Sequence, residues 1–221
     1  EIFEKFAFGD FTIRLNNRLV LNGFFEGIGI AGESRDVLRI VDKMEKITHQ
    51  ELVDELTAIG LNKTQIERVL EFTAIKGTND EILTQLEQLD VETDNYRSGI
   101  NKLRLLVEAL RTMNVPENRF AIDLKIARGL DYYTGVIFEL VDSKNPKLSL
   151  AGGGRYDNLI GIFTDKNIPA VGIGFGFDRI IETMDEVGLF PKSTNSPTSK
   201  GFRRNSRTPN AFASWTAWGS S

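Results

Sequence analysis

Apolar and polar residues alternate over residues 11–16, which read Phe-Thr-Ile-Arg-Leu-Asn. A period of two predicts a strand with one buried face. Asn16 and Asn17 then provide a turn or a helix cap, and a short apolar run begins at Arg18. We therefore predict a strand that leads directly into a short helix.

From about residue 32 to residue 114 the apolar positions recur at the spacing of α-helices. The stripes comprise Val37, Ile40, Val41 and Met44; Leu52, Val53, Leu56 and Ile59; Ile66, Val69, Leu70 and Phe72; Ile82, Leu83, Leu86 and Leu89; and Ile100, Leu103, Val107 and Leu110. Thr64 and Asn79 are candidate caps for two of these helices. Such stripes bury one face of each helix against its neighbours, so the segment is predicted to be an all-helical module.

The pattern changes after Pro116, where short apolar runs of strand length replace the helical stripes. Strands are predicted at residues 120–124, 136–141, 148–151 and 171–175. Helices are predicted to begin near Arg155 and near Phe177. Strands on both sides of a helical module indicate an α+β fold, with the helices inserted into a sheet-containing unit.

Composition narrows the class of protein without identifying it. Of the 221 residues, 41% are hydrophobic and 26% are charged, as in a soluble globular protein of one or two domains. The absence of cysteine excludes a disulfide scaffold and cysteine-based zinc sites, and it suits a reducing compartment. The net charge of −4 gives no general basic signature, although a local basic face suffices for contacts to RNA phosphates. No apolar run reaches the length of a membrane span.

The end of the chain differs from the rest. Residues 192–221 are rich in Ser, Thr, Asn, Arg and Lys, include both tryptophans and show no periodicity. We interpret this tail as loop or disorder. Three origins of the tail stay open: a non-native addition, an out-of-frame product and a natural ending. The fold prediction therefore excludes it.

An arginine at the end of an apolar run is the first candidate for chemistry. Arg128 follows the predicted strand at residues 120–124 and precedes the turn residue Gly129. Its guanidinium could bridge a carboxylate and a phosphate with paired hydrogen bonds. The alternative is a surface arginine or an ion pair with Asp131.

Two adjacent tyrosines follow this arginine, at Tyr132 and Tyr133. On an extended segment they point to opposite faces, unless a turn brings them together. A phenol hydroxyl can hydrogen-bond to an imidazole nitrogen, and the ring can pack on the imidazole face. The alternative is a pair of ordinary core or rim tyrosines.

A run of glycines marks the next candidate. Gly152, Gly153 and Gly154 remove side chains from a strand, which either relieves backbone strain or lets a ligand approach closely. Tyr156 follows at the predicted helix start. The alternative is a plain turn or bulge.

Alternating glycines mark the last candidate. Gly172, Gly174 and Gly176 would leave one face of a strand bare, and a flat base or sugar could lie there. Arg179 follows in the next predicted helix. The alternative is a glycine face packed against a helix.

These residues fall into three motifs: RGLDYYTG at 128–135, AGGGRYDNLIG at 151–161 and PAVGIGFGFDRI at 169–180. The first two resemble the histidine-specific signatures of histidyl-tRNA synthetases. The third resembles motif 3 of class II aminoacyl-tRNA synthetases, although Asp178 stands where that motif often has a glutamate. Three motifs in the family's order are far more specific than a single glycine pattern. The resemblance covers residues 1 to about 191.

The resemblance implies a site for L-histidine and ATP. Arg128 would be the catalytic cation that holds the histidine carboxylate against the α-phosphate of ATP. The implied histidine-binding residues are Arg128, Tyr132, Tyr133, Gly152, Gly153 and Tyr156. The implied ATP-binding residues are Gly174, Gly176 and Arg179. Mg²⁺ would be bound through the ATP phosphates, so no protein metal ligand is predicted.

The resemblance also implies an architecture: a partial class II antiparallel sheet with flanking helices and an inserted helical domain. The catalytic-core portion would comprise residues 1–27 and 118–191, and the insertion residues 28–117. The insertion would face the acceptor stem of tRNA(His). Its candidate RNA-facing cations are Lys63, Arg68, Lys76, Lys102, Arg104 and Arg111, with a solvated helix surface as the alternative. A homodimer, a cytoplasmic location and no membrane association are expected of the full-length protein.

Part of the implied enzyme is missing from the sequence. Motif 1, motif 2 and the anticodon-binding domain are not found, so we interpret the chain as a fragment of a histidine–tRNA ligase with an incomplete active site. We expect no histidine activation by this chain alone. One alternative is a non-catalytic paralogue such as the histidine-binding regulatory subunit of ATP phosphoribosyltransferase. Another is a helical domain with flanking strands and no intact site. The intact RGLDYYTG motif and Arg179 favour the enzyme.

Overall fold

The structure of the protein is a computed structural model, and some segments fall outside it. It describes residues 2–5, 9–127, 132–146 and 148–190. The predictions for Arg128 and for the tail at 192–221 therefore lie outside the described residues.

The described residues form strands on both sides of a run of helices. The strands are β1 (Phe11–Asn17), β2 (Phe120–Ile122), β3 (Val136–Asp142), β4 (Ser149–Tyr156) and β5 (Ala170–Phe175). The helices are α1 (Ile2–Lys5), α2 (Arg18–Gly27), α3 (Ser34–Lys43), α4 (His49–Ala58), α5 (Lys63–Ala74), α6 (Asn79–Gln88), α7 (Asp94–Thr112) and α8 (Phe177–Glu186). Short 3₁₀ turns lie at Met44–Lys46, Glu117–Arg119 and Ile160–Ile162. The α+β prediction is confirmed.

The strands form one five-stranded sheet in the order β2-β1-β3-β4-β5. Strand β1 pairs with β2 in parallel, and the other neighbouring strands are antiparallel. The sheet is therefore mixed, whereas the resemblance predicted an antiparallel one. The difference arises because the whole helical segment separates β1 from β2. A connection of that length can return the chain to the same end of the sheet.

Helix α8 packs on one face of the sheet. Its Ile180 and Met184 contact an apolar cluster that contains Phe11 and Leu150. Strand β5, which ends the strand order in the described part of the chain, is not covered in this way. Its Val171, Ile173 and Phe175 are all exposed, Val171 to 68%.

Side-chain caps set the helix boundaries in the helical segment. Thr78 caps α6, since its hydroxyl accepts the Glu81 amide at 3.3 Å and the Glu81 carboxylate accepts the Thr78 amide at 2.8 Å. Asn62 caps α5 through a similar reciprocal pair. The caps predicted at Thr64 and Asn79 are wrong, because both residues lie inside the first turns of these helices.

Helices α2 and α7 cross at a backbone-to-backbone contact that depends on two glycines. A Cβ atom at Gly99 would lie 2.5 Å from the Val20 amide nitrogen, and one at Gly23 would lie 2.2 Å from the Tyr96 nitrogen. Neither position can therefore accept a side chain unless the helices move apart. Tyr96 is buried beside the crossing, and its hydroxyl donates to the Leu86 carbonyl at 2.8 Å.

The helical segment and the sheet share one apolar core. Phe24 of α2 stacks on Phe72 of α5, with ring centroids 4.1 Å apart. The same cluster of buried side chains continues to Leu15 of β1 and Ile122 of β2. Side chains from both parts therefore bury one another.

Polar contacts join the helical segment to the outer edge of β2. Asn79, the first residue of α6, accepts the Ile122 amide at 2.8 Å, so its side chain takes the place of a neighbouring strand. Arg111 of α7 bridges Glu117 and Asp80 with hydrogen bonds of 2.7 and 2.9 Å. Hydrogen bonds to Glu117 and then to Asp80 raise the pKa of Arg111, and the bond from Arg111 lowers the pKa of Glu117.

The α2–α7 crossing gives a stability prediction. Gly99→Ala should lower the free energy of unfolding by about 1–3 kcal/mol, because the added methyl group must displace the Val20 backbone and not a flexible side chain. Urea denaturation followed by circular dichroism measures the change. Gly32→Ala is the matched control, since a Cβ atom at Gly32 meets nothing within 4 Å. Equal midpoints for the two variants would show that the crossing is not tight.

Candidate functional site

Four glycines form a bare patch where β4 pairs with β5. Gly152 lies opposite Gly174, and Gly154 lies opposite Gly172, so all four occupy the same face of the sheet. A Cβ atom at Gly152 would have its nearest neighbour at 3.5 Å, and one at Gly174 at 3.9 Å. These two glycines leave an open floor onto which a flat group can settle.

Tyrosine rings border this floor on one side. A Cβ atom at Gly154 would lie 3.0 Å from the Tyr133 ring, and one at Gly172 would lie 3.0 Å from the Tyr156 ring. The two tyrosine centroids are 6.4 Å apart. The absence of side chains on the glycines thus lets both rings lie against the strands.

Tyr132 joins the same cluster. Its ring centroid is 4.4 Å from that of Tyr133 and 6.4 Å from that of Tyr156. An extended segment would have pointed the adjacent tyrosines to opposite faces, but Tyr132 lies in a turn before β3 begins at Val136. The structure therefore brings together the three tyrosines that the sequence selected, and leaves Tyr132 43% exposed.

A polar bracket fastens the tyrosine segment to β4. The Thr134 amide donates to the Arg155 carbonyl at 2.8 Å, and the Thr134 hydroxyl donates to Asp157 at 2.6 Å. Arg155 Nε donates to the other carboxylate oxygen of Asp157 at 2.9 Å. The Thr134 hydrogen bond is the main cause that lowers the pKa of Asp157, with Arg155 and the more distant charge of Lys102 acting in the same direction against partial burial.

Strand β4 extends through the position where a helix was predicted. Arg155 and Tyr156 pair with Val171 and Ala170, so the strand ends only after Tyr156. A 3₁₀ turn at Ile160–Ile162 follows where the sequence predicted a helix starting near Arg155. The error has a physical cause: cross-strand pairing with β5 is a long-range contact that local sequence does not reveal.

Gly153 points away from the open floor. A Cβ atom there would lie 2.6 Å from the Phe138 ring and 3.0 Å from Ile173 Cα, on the opposite face from Gly152. The sequence grouped Gly152 and Gly153 in one pocket, whereas the alternation of the strand separates them. Gly153 can therefore contribute only its peptide groups to the floor.

Arg179 lies at the other end of β4. Its Nη1 donates to the Ser149 carbonyl at 3.1 Å, and Gly176, the N-cap of α8, donates to the Leu150 carbonyl at 2.8 Å. Strand β5 ends at Phe175, so Gly176 is not part of the glycine face that the sequence predicted. With a strand rise of about 3.3 Å per residue, Ser149 and Tyr156 at the two ends of β4 are about 23 Å apart.

Sequence reasoning missed Glu139, a buried carboxylate in the same row as the open floor. Glu139 lies opposite Gly152 on β4 and opposite Arg14 on β1, and its exposure is 6%. A charged residue inside the apolar run of β3 was the available signal. Thr134 and Asp157 also belong to the quoted motifs, but nothing in the sequence showed that they bond to each other.

The described residues contain neither a cluster suited to a metal ion nor a helix suited to a membrane. Among residues 2–5, 9–127, 132–146 and 148–190, no group of three or more His, Cys, Asp or Glu side chains is placed to hold a metal ion. Over the same described residues, no helix combines the length and apolar character needed to cross a membrane.

Comparison with known proteins connects this arrangement to one family. The sequence model of the family described as Histidyl-tRNA synthetase matches residues 1–180. The chain is 41% identical over 201 residues to the histidine–tRNA ligase of Clostridium tetani (strain Massachusetts / E88), a match that covers 90% of this chain and 46% of that ligase.

Solved structures agree with the sequence match. The crystal structure of histidyl-tRNA synthetase from Nostoc sp. PCC 7120 matches with a TM-score of 0.81 and 36% identity, over 86% of this chain and 45% of that one. An ATP phosphoribosyltransferase regulatory subunit/histidyl-tRNA synthetase from Bacillus halodurans C shares the fold, with a TM-score of 0.67 and 19% identity over 80% of this chain and 45% of that one. The chain spans about half the length of the relatives it matches. By its motifs, its fold and these matches, it belongs to the histidyl-tRNA synthetase family.

Proposed function

We propose that this chain is part of a histidine–tRNA ligase, which activates L-histidine with ATP and transfers the histidyl group to the 3′ end of tRNA(His). The observation that carries the proposal is the open floor of Gly152 and Gly174, with a tyrosine cluster toward one end of β4 and Arg179 at the other. Since the chain spans about half of its relatives, this activity is proposed for a longer protein.

The tyrosine end suits the amino acid. The half-buried Tyr133 and Tyr156 offer ring faces for an imidazole and hydroxyls that can donate to or accept from its nitrogens. Tyr132 closes the cluster on the solvent side. Arg128, which precedes this segment, is proposed to bind the histidine carboxylate with its guanidinium fork.

The arginine end suits the nucleotide. One donor of Arg179 is bound to the Ser149 carbonyl, which holds the guanidinium in place and leaves other donors for a phosphate. Gly174 presents no side chain to an adenine or ribose, and Gly176 lies next to Arg179. Mg²⁺ is proposed to bind through the phosphates of ATP, a substrate here, because that is its usual mode of binding.

This order of groups matches the chemistry of activation. A histidine carboxylate oxygen forms a bond to the α-phosphorus of ATP, and pyrophosphate leaves with the bonding electron pair. Negative charge accumulates on the phosphoryl oxygens, where fixed cations stabilise it most. In this proposal Arg128 acts at the histidine carboxylate and the α-phosphate, and Arg179 binds ATP on its γ-phosphate side.

The helical segment is proposed to contact tRNA. We propose residues 28–117 as the inserted domain that faces the acceptor stem. Arg104 and Arg111 are paired with Glu87 and with Glu117, which leaves them less available to phosphates than the sequence implied. Lys102 on the same helix lowers the pKa of Asp157 through its charge, so this α7 cation lies near the tyrosine end of the floor. A homodimer and a cytoplasmic location belong to the same proposal.

A regulatory paralogue is the second candidate. The Bacillus halodurans protein shares the fold at 19% identity, which supports a common architecture and no shared activity. The ligase is favoured because the chain keeps RGLDYYTG and the motif 3 arginine, and because its identity to the Clostridium tetani ligase is 41%.

Calorimetric titration tests the amino-acid end. The chain should bind L-histidine, and Arg128→Ala should weaken binding roughly tenfold to hundredfold, because a hydrogen-bonded charge pair to the carboxylate is lost. Histidinol lacks the carboxylate and should bind Arg128→Ala and the unmodified chain alike. Arg39→Ala on α3 is the control, since Arg39 pairs with Asp36 far along the chain from the motifs. Equal L-histidine affinities for the two variants would remove Arg128 from the site.

Isotope exchange tests the incompleteness of the site. Histidine-dependent ATP–pyrophosphate exchange by the chain alone should equal that of a heat-inactivated sample, because the groups expected from motif 2 are missing. The titration above is run on the same preparation, so a folded chain that binds histidine without exchange is the expected result. Clear exchange above the inactivated sample would contradict the proposal that the site is incomplete.

The Asp157 bracket gives a pH prediction. Because its folded pKa lies below the ordinary value of 3.8, its contribution to stability is present above that pH and is lost as pH falls through the folded pKa. Thr134→Val removes the principal hydrogen bond and should raise the pKa of Asp157 toward its ordinary value. Carboxyl carbon NMR titration measures this. Thr164→Val is the control, because the Thr164 hydroxyl donates to the Ile160 carbonyl and not to a carboxylate.

A further inference from the structure

We propose that Asn16 and Arg18 are positioning residues that clamp the chain on both sides of the RGLDYYTG motif, at residues 124–127 and at Gly135. This role rests on the proposed function only for its effect on histidine binding. Neither side chain needs to contact a ligand. Both lie at the junction of β1 and α2 and are buried, with exposures of 0% for Asn16 and 5% for Arg18.

Asn16 fixes the turn that precedes the segment. Its Nδ2 donates to the Leu124 carbonyl at 3.2 Å and to the Ile126 carbonyl at 3.0 Å. Its Oδ1 accepts the Asn17 amide at 2.7 Å. The acceptor bond determines which way the amide faces, so both Nδ2 hydrogens point at the carbonyls.

Arg18 fixes the next peptide group. Its Nη1 donates to the Ala127 carbonyl at 3.4 Å. That carbonyl belongs to the peptide unit that joins Ala127 to Arg128, and a peptide unit is planar. Ala127, the last described residue before the RGLDYYTG motif, is therefore held by the Arg18 guanidinium.

The same junction binds the far end of the segment. The Arg18 backbone amide donates to the Gly135 carbonyl at 2.8 Å. Ala127 and Gly135 are thus both held by Arg18, one through its side chain and one through its main chain. The described residues on both sides of the motif's first half are therefore anchored at the same position of the chain.

The turn between β2 and the segment is itself ordered by β1. The Asp123 amide donates to the Leu15 carbonyl at 2.9 Å, and the Asp123 carboxylate accepts the Lys125 amide at 3.1 Å. Arg14 pairs with the same carboxylate at 3.5 Å. The Asn16 bonds therefore act on a turn that is already held at its start, so their loss would release chiefly its far end.

Precise placement is what a binding arginine requires. A functional group must be held within about 0.5 Å of its working position, and its supporting residues decide whether it is. Removing the Asn16 donor would take a hydrogen bond from each of two carbonyls of buried residues, which is costly compared with losing an exposed hydrogen bond. Residues that never contact histidine would in this way control its affinity.

Hydrogen–deuterium exchange on the complete chain tests the clamp without any ligand. Asn16→Asp keeps the shape and the Oδ1 acceptor but removes the donor, and Arg18→Met keeps the apolar stem but removes the guanidinium. Exchange in peptides that contain residues 124–136 should become about tenfold faster in both variants, as expected for the loss of a buried hydrogen bond. Exchange in α5 and α7 should not change.

Two further variants separate positioning from general destabilisation. Arg18→Lys retains a cationic donor and should restore slow exchange. Arg119→Met is the matched control, because Arg119 Nη1 also donates to a carbonyl at 3.4 Å, that of Phe11 at the opposite end of β1. It should leave residues 124–136 unchanged. If Asn16→Asp does not fold, the Arg18→Met and Arg18→Lys pair still decides the outcome.

The L-histidine affinity of the same variants gives the second readout. It should fall about tenfold in Asn16→Asp and in Arg18→Met, and remain unchanged in Arg18→Lys and Arg119→Met. Faster exchange with unchanged affinity, or faster exchange spread over the whole chain, would overturn the positioning role. An unmodified chain that binds no L-histidine contradicts the preformed pocket of the proposed function. In that case the exchange rate alone tests the clamp. A faster rate confined to residues 124–136 supports it, and an unchanged rate refutes it.

Discussion

The parallel pairing of β1 with β2 is the contact on which the rest of this molecule depends. Residues far apart in sequence meet there, and the helical segment between them must close as a compact unit for the strands to align. The pairing places the turn after β2 beside Asn16 and Arg18, and it gives Asn79 a strand edge to bind. Forming the β1–β2 pair therefore closes the helical segment as a loop, and it also places the turn that leads to the RGLDYYTG segment.

The site combines few charges with much exposed backbone. The row that crosses the sheet from Arg14 through Glu139 to Gly152 and Gly174 changes from charged to bare, and only the bare end is open. In the helical segment, by contrast, Arg111 is engaged by two carboxylates. Net charge alone is thus a poor guide to where an anionic ligand can approach, because much of the positive charge is neutralised locally.

The sequence predicted most elements and the glycine and tyrosine clusters, because these depend on local periodicity and on motif order. It failed where a distant strand decides the outcome: β4 continues past Arg155 because Val171 pairs there. Asn16 was visible only as a turn or cap residue, because its partners Leu124 and Ile126 lie across the whole helical segment. Glu139 was visible as a charged residue in an apolar run, but its positions opposite Arg14 and Gly152 depend on strands distant in sequence. The local sequence pattern indicates which residues are candidates for the site, and tertiary pairing decides which groups they contact.

The exposed side of β5 has a consequence for handling the molecule. Val171, Ile173 and Phe175 form an apolar strip on a strand whose outer edge has no partner among the described residues, and Phe177 extends it at 70% exposure. An open edge with apolar side chains is a template for strand addition, and β5 has neither a lysine nor a proline to discourage it. We therefore expect self-association at high protein concentration to respond to the temperature and salt that modulate apolar association at this edge.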